Sequence, residues 1–67
     1  MTTPREHSRQ QLDKFTRELS TDELTLLAAT YAQDIRAQWY EAHPDEIAAA
    51  LDDLDTITNQ LRNRLTQ

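Results

Sequence analysis

The sequence predicts an all-α fold, and three observations support that prediction. The 67 residues include no glycine, the residue that tight hairpin turns and phosphate-binding loops most often require. Alanine, leucine, glutamine, glutamate, aspartate and arginine are abundant, and apolar residues recur at spacings of three and four. We therefore expect three short helices at about 3–19, 20–42 and 44–66. They should form a helical hairpin or a three-helix bundle in a single domain, 1–67.

Helix 1 is expected to begin at Thr3. The stretch Thr3-Pro4-Arg5-Glu6 places a hydroxyl at the cap, proline at the first helical position and glutamate at the third, which is a capping box with its preferred proline. The apolar positions form one stripe over the second half of the helix only, at Leu12, Phe15 and Leu19.

Helix 2 has the best-marked start in the chain. Ser20 and Glu23 have the spacing of a second capping box, and Leu19 and Leu24 flank it at the positions of a hydrophobic staple. The helix should end before Pro44, because the residue that precedes a proline avoids helical geometry. A single helix that continues through Pro44 with a kink is the alternative.

Helix 3 should begin at Pro44 and bury one side. Acidic residues occupy its first turn and Arg62 and Arg64 its last turn, as the helix dipole favours. A heptad seam is predicted at Ile47, Leu51, Leu54, Thr58, Leu61 and Leu65. Ile57, beside the polar Thr58, can also turn inward.

Helix 2 carries apolar residues on two opposite sides. At about 100° per residue, the stronger stripe comprises Leu24, Leu27, Ala28, Tyr31, Ile35, Trp39 and Ala42. We predict that this stripe, including Trp39, faces the core. A helix that is apolar on two sides is normally buried on both.

The weaker side of helix 2 is the candidate partner-binding surface, and we call it the outer face. Its members are Leu26, Ala29, Gln33, Arg36, Ala37 and Tyr40. Either helix 1 packs on this face or another molecule does. Tyr40 is its largest member, and tyrosine and arginine are favoured anchors at interfaces.

Catalytic and metal-binding motifs are not found in the sequence. Phosphate-binding loops and nucleophile elbows need glycine, and cysteine-based zinc sites need cysteine, which is also absent. His7 and His43 lie far apart, and the alternating Asp53 and Asp55 lack the other ligands of a calcium loop. We expect no enzyme activity, no cofactor and no metal site.

The composition favours a protein partner. A net charge of −5 argues against nucleic acid as the main ligand. No apolar run approaches the roughly 18 residues of a membrane-spanning helix, and the first residues lack the apolar core of a signal peptide. We expect a cytoplasmic protein without a membrane partner.

The predicted function is that of a non-enzymatic interaction protein. Such a chain would act as an adaptor, an inhibitor or an antitoxin-like modulator, binding a larger protein that has a basic surface. Because a chain this small buries little apolar area, we also expect a homodimer. The alternatives are a helix-turn-helix regulator, or an acidic nucleic-acid mimic that uses Asp45, Glu46, Asp52, Asp53 and Asp55.

Overall fold

A computed structural model describes residues 4–66, except for the side chains of residues 5 and 8. It contains three helices, α1 (Pro4–Arg17), α2 (Thr21–Gln38) and α3 (Pro44–Leu65), and these residues form no β-strand. The all-α prediction is therefore confirmed. The expected cap at Thr3 lies outside the described residues.

α3 is the central helix of the arrangement. It packs against both α1 and α2, which contact each other far less. Successive residues of α1 meet successive residues of α3, since Arg9 pairs with Asp52, Asp13 with Gln60, and the carbonyl of Thr16 with Arg64. α1 and α3 therefore run parallel, and α2 runs antiparallel to α3 because a short turn connects them.

The joint between α1 and α2 is built as predicted. Ser20 is extended (φ −65°, ψ 162°), and its hydroxyl accepts a hydrogen bond from the Glu23 amide at 3.1 Å. The Glu23 carboxylate in turn accepts from the Ser20 amide at 3.2 Å. This confirms the capping box, and Leu24, which follows it, is fully buried.

α2 is shorter than predicted, ending at Gln38 rather than Ala42. Beyond it the chain makes one turn, in which the Ala42 amide donates to the Gln38 carbonyl at 2.8 Å. His43 is extended (φ −62°, ψ 141°), as a residue before proline should be. Two separate helices therefore replace the alternative of one kinked helix.

Trp39 is a correction to the predicted core. It lies at the C-terminal cap of α2, and 51% of it is exposed. The periodic pattern of the stripe assumed that the helix continued to residue 42. The backbone of Trp39 is still helical (φ −53°, ψ −41°), so its exposure comes from the lack of covering side chains at this end of the molecule, where the ring lines an open groove with Ile47 and Leu51.

The core is small and lies between the three helices. Its buried apolar residues are Leu24, Ile35, Ile47 and Ile57, together with the buried hydroxyl residue Thr16. Ile57 turns inward, as the sequence suggested.

The predicted seam of α3 is wrong at Leu51 and Leu65. Leu51 is 43% exposed and Leu65 is 86% exposed. Because α3 contacts α1 on one side and α2 on the other, its most buried line passes through Ile57. At about 100° per residue, Leu51 lies roughly 120° away from Ile57. Leu65 shares its side of α3 with the buried Ile47 but is the last residue of the helix.

The molecule is extended for its mass. Its dimensions are 38 × 33 × 16 Å and its radius of gyration is 12.6 Å, against about 11 Å for a compact domain of this length. Its accessible surface is 5409 Å², whereas the usual scaling with mass gives about 4,400 Å². The isolated chain thus exposes a surplus of about 1,000 Å².

Candidate interaction surfaces

The outer face of α2 is left uncovered, because α1 packs on α3 instead. All six of its residues are exposed, with Leu26 at 69% and Tyr40 at 96%. The interpretation that helix 1 covers this face is therefore wrong. Five of the six residues belong to α2, and Tyr40 lies in the turn that follows it.

Polar side chains connect α1 to α3. The side chain of Gln60 donates to the carboxylate of Asp13, and the guanidinium of Arg9 lies 3.5 Å from the carboxylate of Asp52. In the second half of α1, Thr16 is completely buried, Leu12 is half-buried and Phe15 is 55% exposed. The α1–α3 contact thus combines polar side-chain contacts with partial burial of α1.

Arg64 of α3 forms a further set of polar contacts at the joint between α1 and α2. The half-buried guanidinium of Arg64 donates to the carbonyl oxygens of Leu19 (2.6 Å) and Thr16 (3.2 Å), and to the hydroxyl of Thr21 (3.2 Å). Carbonyl groups at a helix C-terminus have no partner within their own helix. The Thr16 carbonyl also accepts from the Leu19 amide at 3.3 Å, and Arg64 adds a charged donor from 45 residues beyond Leu19.

One flank of the outer face is acidic. Glu23 and Asp34 are both exposed and lie on the same side of α2, since eleven residues make about three turns. Hydrogen bonds from the Ser20 side chain and amide lower the pKa of Glu23 below its ordinary value of 4.5. This carboxylate is therefore charged at neutral pH.

The acidic residues of α2 and α3 are relevant to the two alternative functions, a helix-turn-helix regulator and an acidic nucleic-acid mimic. With Asp22 also exposed, α2 presents carboxylates where a DNA-recognition helix offers basic or amide side chains. The acidic group proposed for nucleic-acid mimicry is divided, because Asp52 and Asp53 are half-buried near α1 and α2 while Asp45, Glu46 and Asp55 are exposed. Neither alternative gains support from this arrangement.

An apolar groove lies next to the outer face. One wall is formed by Phe15 of α1 and by Leu19, which lies in the joint between α1 and α2. The other wall is formed by Leu26 and Leu27 of α2. Glu23 and Thr30 also line it. Leu26 is therefore part of a wider apolar surface, which extends the predicted site toward Phe15.

A second apolar groove lies at the opposite end of the molecule, along the α2–α3 hairpin. Its walls include Trp39, Ile47, Ala48 and Leu51. Trp39 and Leu51 were predicted to lie in the core, so this surface could not be predicted from the sequence. Their exposure depends on which side chains the other helices place over them, which the periodic pattern does not reveal.

The histidines have local structural roles. The Nδ1 atom of His43 accepts a hydrogen bond from the Asp45 amide at 3.2 Å and so caps α3. The Nε2 atom of His7 lies 3.0 Å from the side-chain amide of Gln11. Over residues 4–66, no cluster of three or more histidine or acidic side chains has an arrangement suited to a metal ion.

Within residues 4–66, none of the three helices combines the length and the apolar character needed to cross a bilayer.

The chain was also compared with known proteins. Protein-family models, curated proteins and solved structures gave no significant match.

Proposed function

We propose that this chain is a non-enzymatic interaction protein that binds a larger protein through the outer face of α2. The observation that carries the proposal is the exposure of this face after all three helices have packed. Leu26 and Tyr40, its two largest apolar members, remain 69% and 96% exposed. Binding would modulate the partner by occupying its surface, as an adaptor or an inhibitor does.

The physical support is the composition of the face. Ala29 and Ala37 are small and exposed, so a partner helix or sheet can approach the α2 backbone closely between the two larger residues. Leu26 and Tyr40 are 14 residues apart, or about 21 Å along a helix. That span suits an elongated contact with one anchor near each end.

The charge of the flank indicates the kind of partner. Glu23 and Asp34 border the face, and Arg36 is its one charged member. A partner surface that places basic side chains beside an apolar strip would be complementary to this pattern, and complementary charge accelerates association. The proposed partner is therefore a protein with a basic, partly apolar surface.

The test is affinity capture from native host extract with the tagged chain, comparing the wild type with Leu26→Glu and Tyr40→Glu. Both substitutions change exposed residues, so the fold should persist. An interface anchor is worth about 2 kcal/mol or more. The amount of specifically captured protein should then fall by roughly thirtyfold for each variant at limiting concentration.

Gln38→Glu is the matched control. Gln38 is exposed and is the last residue of α2, but its side chain points at least 100° away from those of all six members of the outer face. This variant adds the same charge to the same helix and should capture the partner normally. If Leu26→Glu and Tyr40→Glu stay folded and capture the same proteins as Gln38→Glu, the proposal is wrong.

A further inference from the structure

A second exposed surface runs along α3, and we call it the α3 ridge. Its members follow spacings of 3, 4, 3, 4 and 3, which keeps them within about 100° of one another on the helix. They are Ala48, Leu51, Asp55, Thr58, Arg62 and Leu65. All are exposed except Thr58, which is half-buried. The ridge lies on α3 and shares no residue with the outer face of α2.

The ridge is unusual in this chain because its charges balance. It carries one carboxylate, on Asp55, and one guanidinium, on Arg62, in a protein whose net charge is −5. Within residues 4–66, neither of these two side chains forms an ion pair of 4.0 Å or less. A second copy of the chain would therefore meet less repulsion here than at the acidic flank of α2.

The order of residues along the ridge is self-complementary. Leu51 and Leu65 lie seven residues before and after Thr58, or about 10.5 Å on either side of it. Asp55 and Arg62 lie about 4.5 and 6 Å on either side. If two copies of α3 meet antiparallel with Thr58 facing its twin, Leu51 faces the partner's Leu65 and Asp55 faces the partner's Arg62.

Thr58 suits the centre of such a contact. Its hydroxyl donates to the Asp55 carbonyl at 3.0 Å, so its hydrogen-bonding need is met within its own helix. The parallel alternative is less favourable, because it would place Asp55 against Asp55 and Arg62 against Arg62. A twofold contact requires one surface to complement itself, and only the antiparallel arrangement meets that requirement here.

A dimer would also cover part of the surplus surface. A standard interface buries about 800 Å² on each partner, and the whole chain, with an accessible surface of 5409 Å², exposes about 1,000 Å² more than a compact monomer of its mass. Leu65 at 86%, Trp39 at 51% and Leu51 at 43% provide large apolar side chains on and beside the ridge.

We propose that a second copy of this chain covers the α3 ridge, forming an antiparallel α3–α3 dimer whose twofold axis passes beside Thr58. The proposal extends the proposed function without depending on it. The dimer leaves the outer face of α2 of each copy open, so one assembly would present two partner-binding faces.

The test is sedimentation equilibrium of the purified full chain, with helix content checked by circular dichroism for every variant. The wild type should sediment as a dimer at micromolar concentration. Leu65→Glu should weaken the dimer by roughly a hundredfold, because each copy places the new charge against an apolar residue. Thr66→Glu, which adds the same charge at the next exposed position, should leave the dimer intact.

A charge exchange tests the antiparallel register. Asp55→Arg should weaken the dimer by about tenfold, because the guanidinium introduced in each copy would face the partner's Arg62. The double variant Asp55→Arg with Arg62→Asp should restore the dimer to within a few fold of the wild type. A parallel dimer would gain nothing from the exchange, since its like-charged residues would still face each other.

Any of the following results would overturn the proposal: a wild-type chain that stays monomeric, a Leu65→Glu variant that dimerises as the wild type does, or a double variant no better than Asp55→Arg. Loss of the dimer in Tyr40→Glu with retention in Leu65→Glu would also overturn it, by moving the self-contact to α2. Failure here leaves the capture test of the outer face unaffected, because that test uses Leu26 and Tyr40.

Discussion

At the scale of single residues, Arg64 connects the C-terminal end of α3 to the C-terminal end of α1, a role that its position in the sequence does not indicate. In the sequence it is a basic residue in the last turn of a helix, which the helix dipole favours. In the structure its guanidinium holds the end of α1 through the carbonyls of Thr16 and Leu19. No local pattern connects residues 16 and 64, so sequence reasoning could not assign this role.

Replacing Arg64 should therefore destabilise the fold. Arg64→Met should lower the free energy of unfolding by about 1–3 kcal/mol, because it leaves carbonyl oxygens at the end of α1 without their charged donor. Urea denaturation followed by circular dichroism measures the loss. Arg64→Lys, which keeps the charge but not the forked geometry, should recover only part of it.

Lys14→Met is the control for charge, since Lys14 is exposed and lies in the last turn of α1. It should change stability by less than about 0.5 kcal/mol. An Arg64→Met variant as stable as Lys14→Met would show that the contact at the joint contributes nothing.

At the scale of the helices, the starts of α2 and α3 and the periodicity could be predicted from local sequence, and the end of α2 and the positions of the helices could not. The start of α2 follows from the Ser20–Glu23 box and the start of α3 from Pro44, because each signal acts within a few residues. The spacing of about 100° per residue correctly placed the buried Leu24 and Ile35 on one side of α2 and the exposed Leu26 on the other.

The candidate site was predictable as a stripe, but its exposure was not. Whether α1 covers the outer face depends on contacts between distant residues, such as Asp13 with Gln60. Because α1 packs on α3, Phe15 is half-exposed and the polar residue Thr16 is completely buried. Periodicity identifies which residues share a side of a helix, but it does not say what covers that side.

The packing of α2 on α3 can be tested through Tyr31. Burial raises the pKa of its phenol above the ordinary value of 10.0, and the nearby carboxylates of Asp53 and Asp34 raise it further. Asp53 belongs to α3, so its effect depends on how the two helices are aligned. The neutral phenol is favoured in the folded state, and the stability this contributes is present below pH 10 and lost as the pH rises through the raised pKa.

An absorbance titration in the Tyr40→Phe background, where Tyr31 is the only tyrosine, should show a midpoint above 10.0. Asp53→Asn should lower that midpoint, because it removes the carboxylate contributed by α3. A midpoint that does not move on Asp53→Asn would place Tyr31 away from Asp53 and contradict the alignment of α2 with α3.

At the scale of the whole molecule, the chain buries few residues for its length. Among the described residues, four apolar side chains and one threonine are buried, while six large apolar residues stay at least 43% exposed. A domain of this size is only marginally stable on its own, and association is one common remedy. The outer face of α2 and the α3 ridge are the two surfaces on which such association would act.

The central claim is that this chain leaves apolar surface that another molecule covers. It is tested most directly by the melting temperature of the purified wild-type protein over a roughly thousandfold range of concentration. Association that requires the folded state makes the melting temperature rise with concentration, and we predict such a rise, reduced in Leu65→Glu. A melting temperature that is the same at every concentration, for a species that remains monomeric throughout, would contradict the claim.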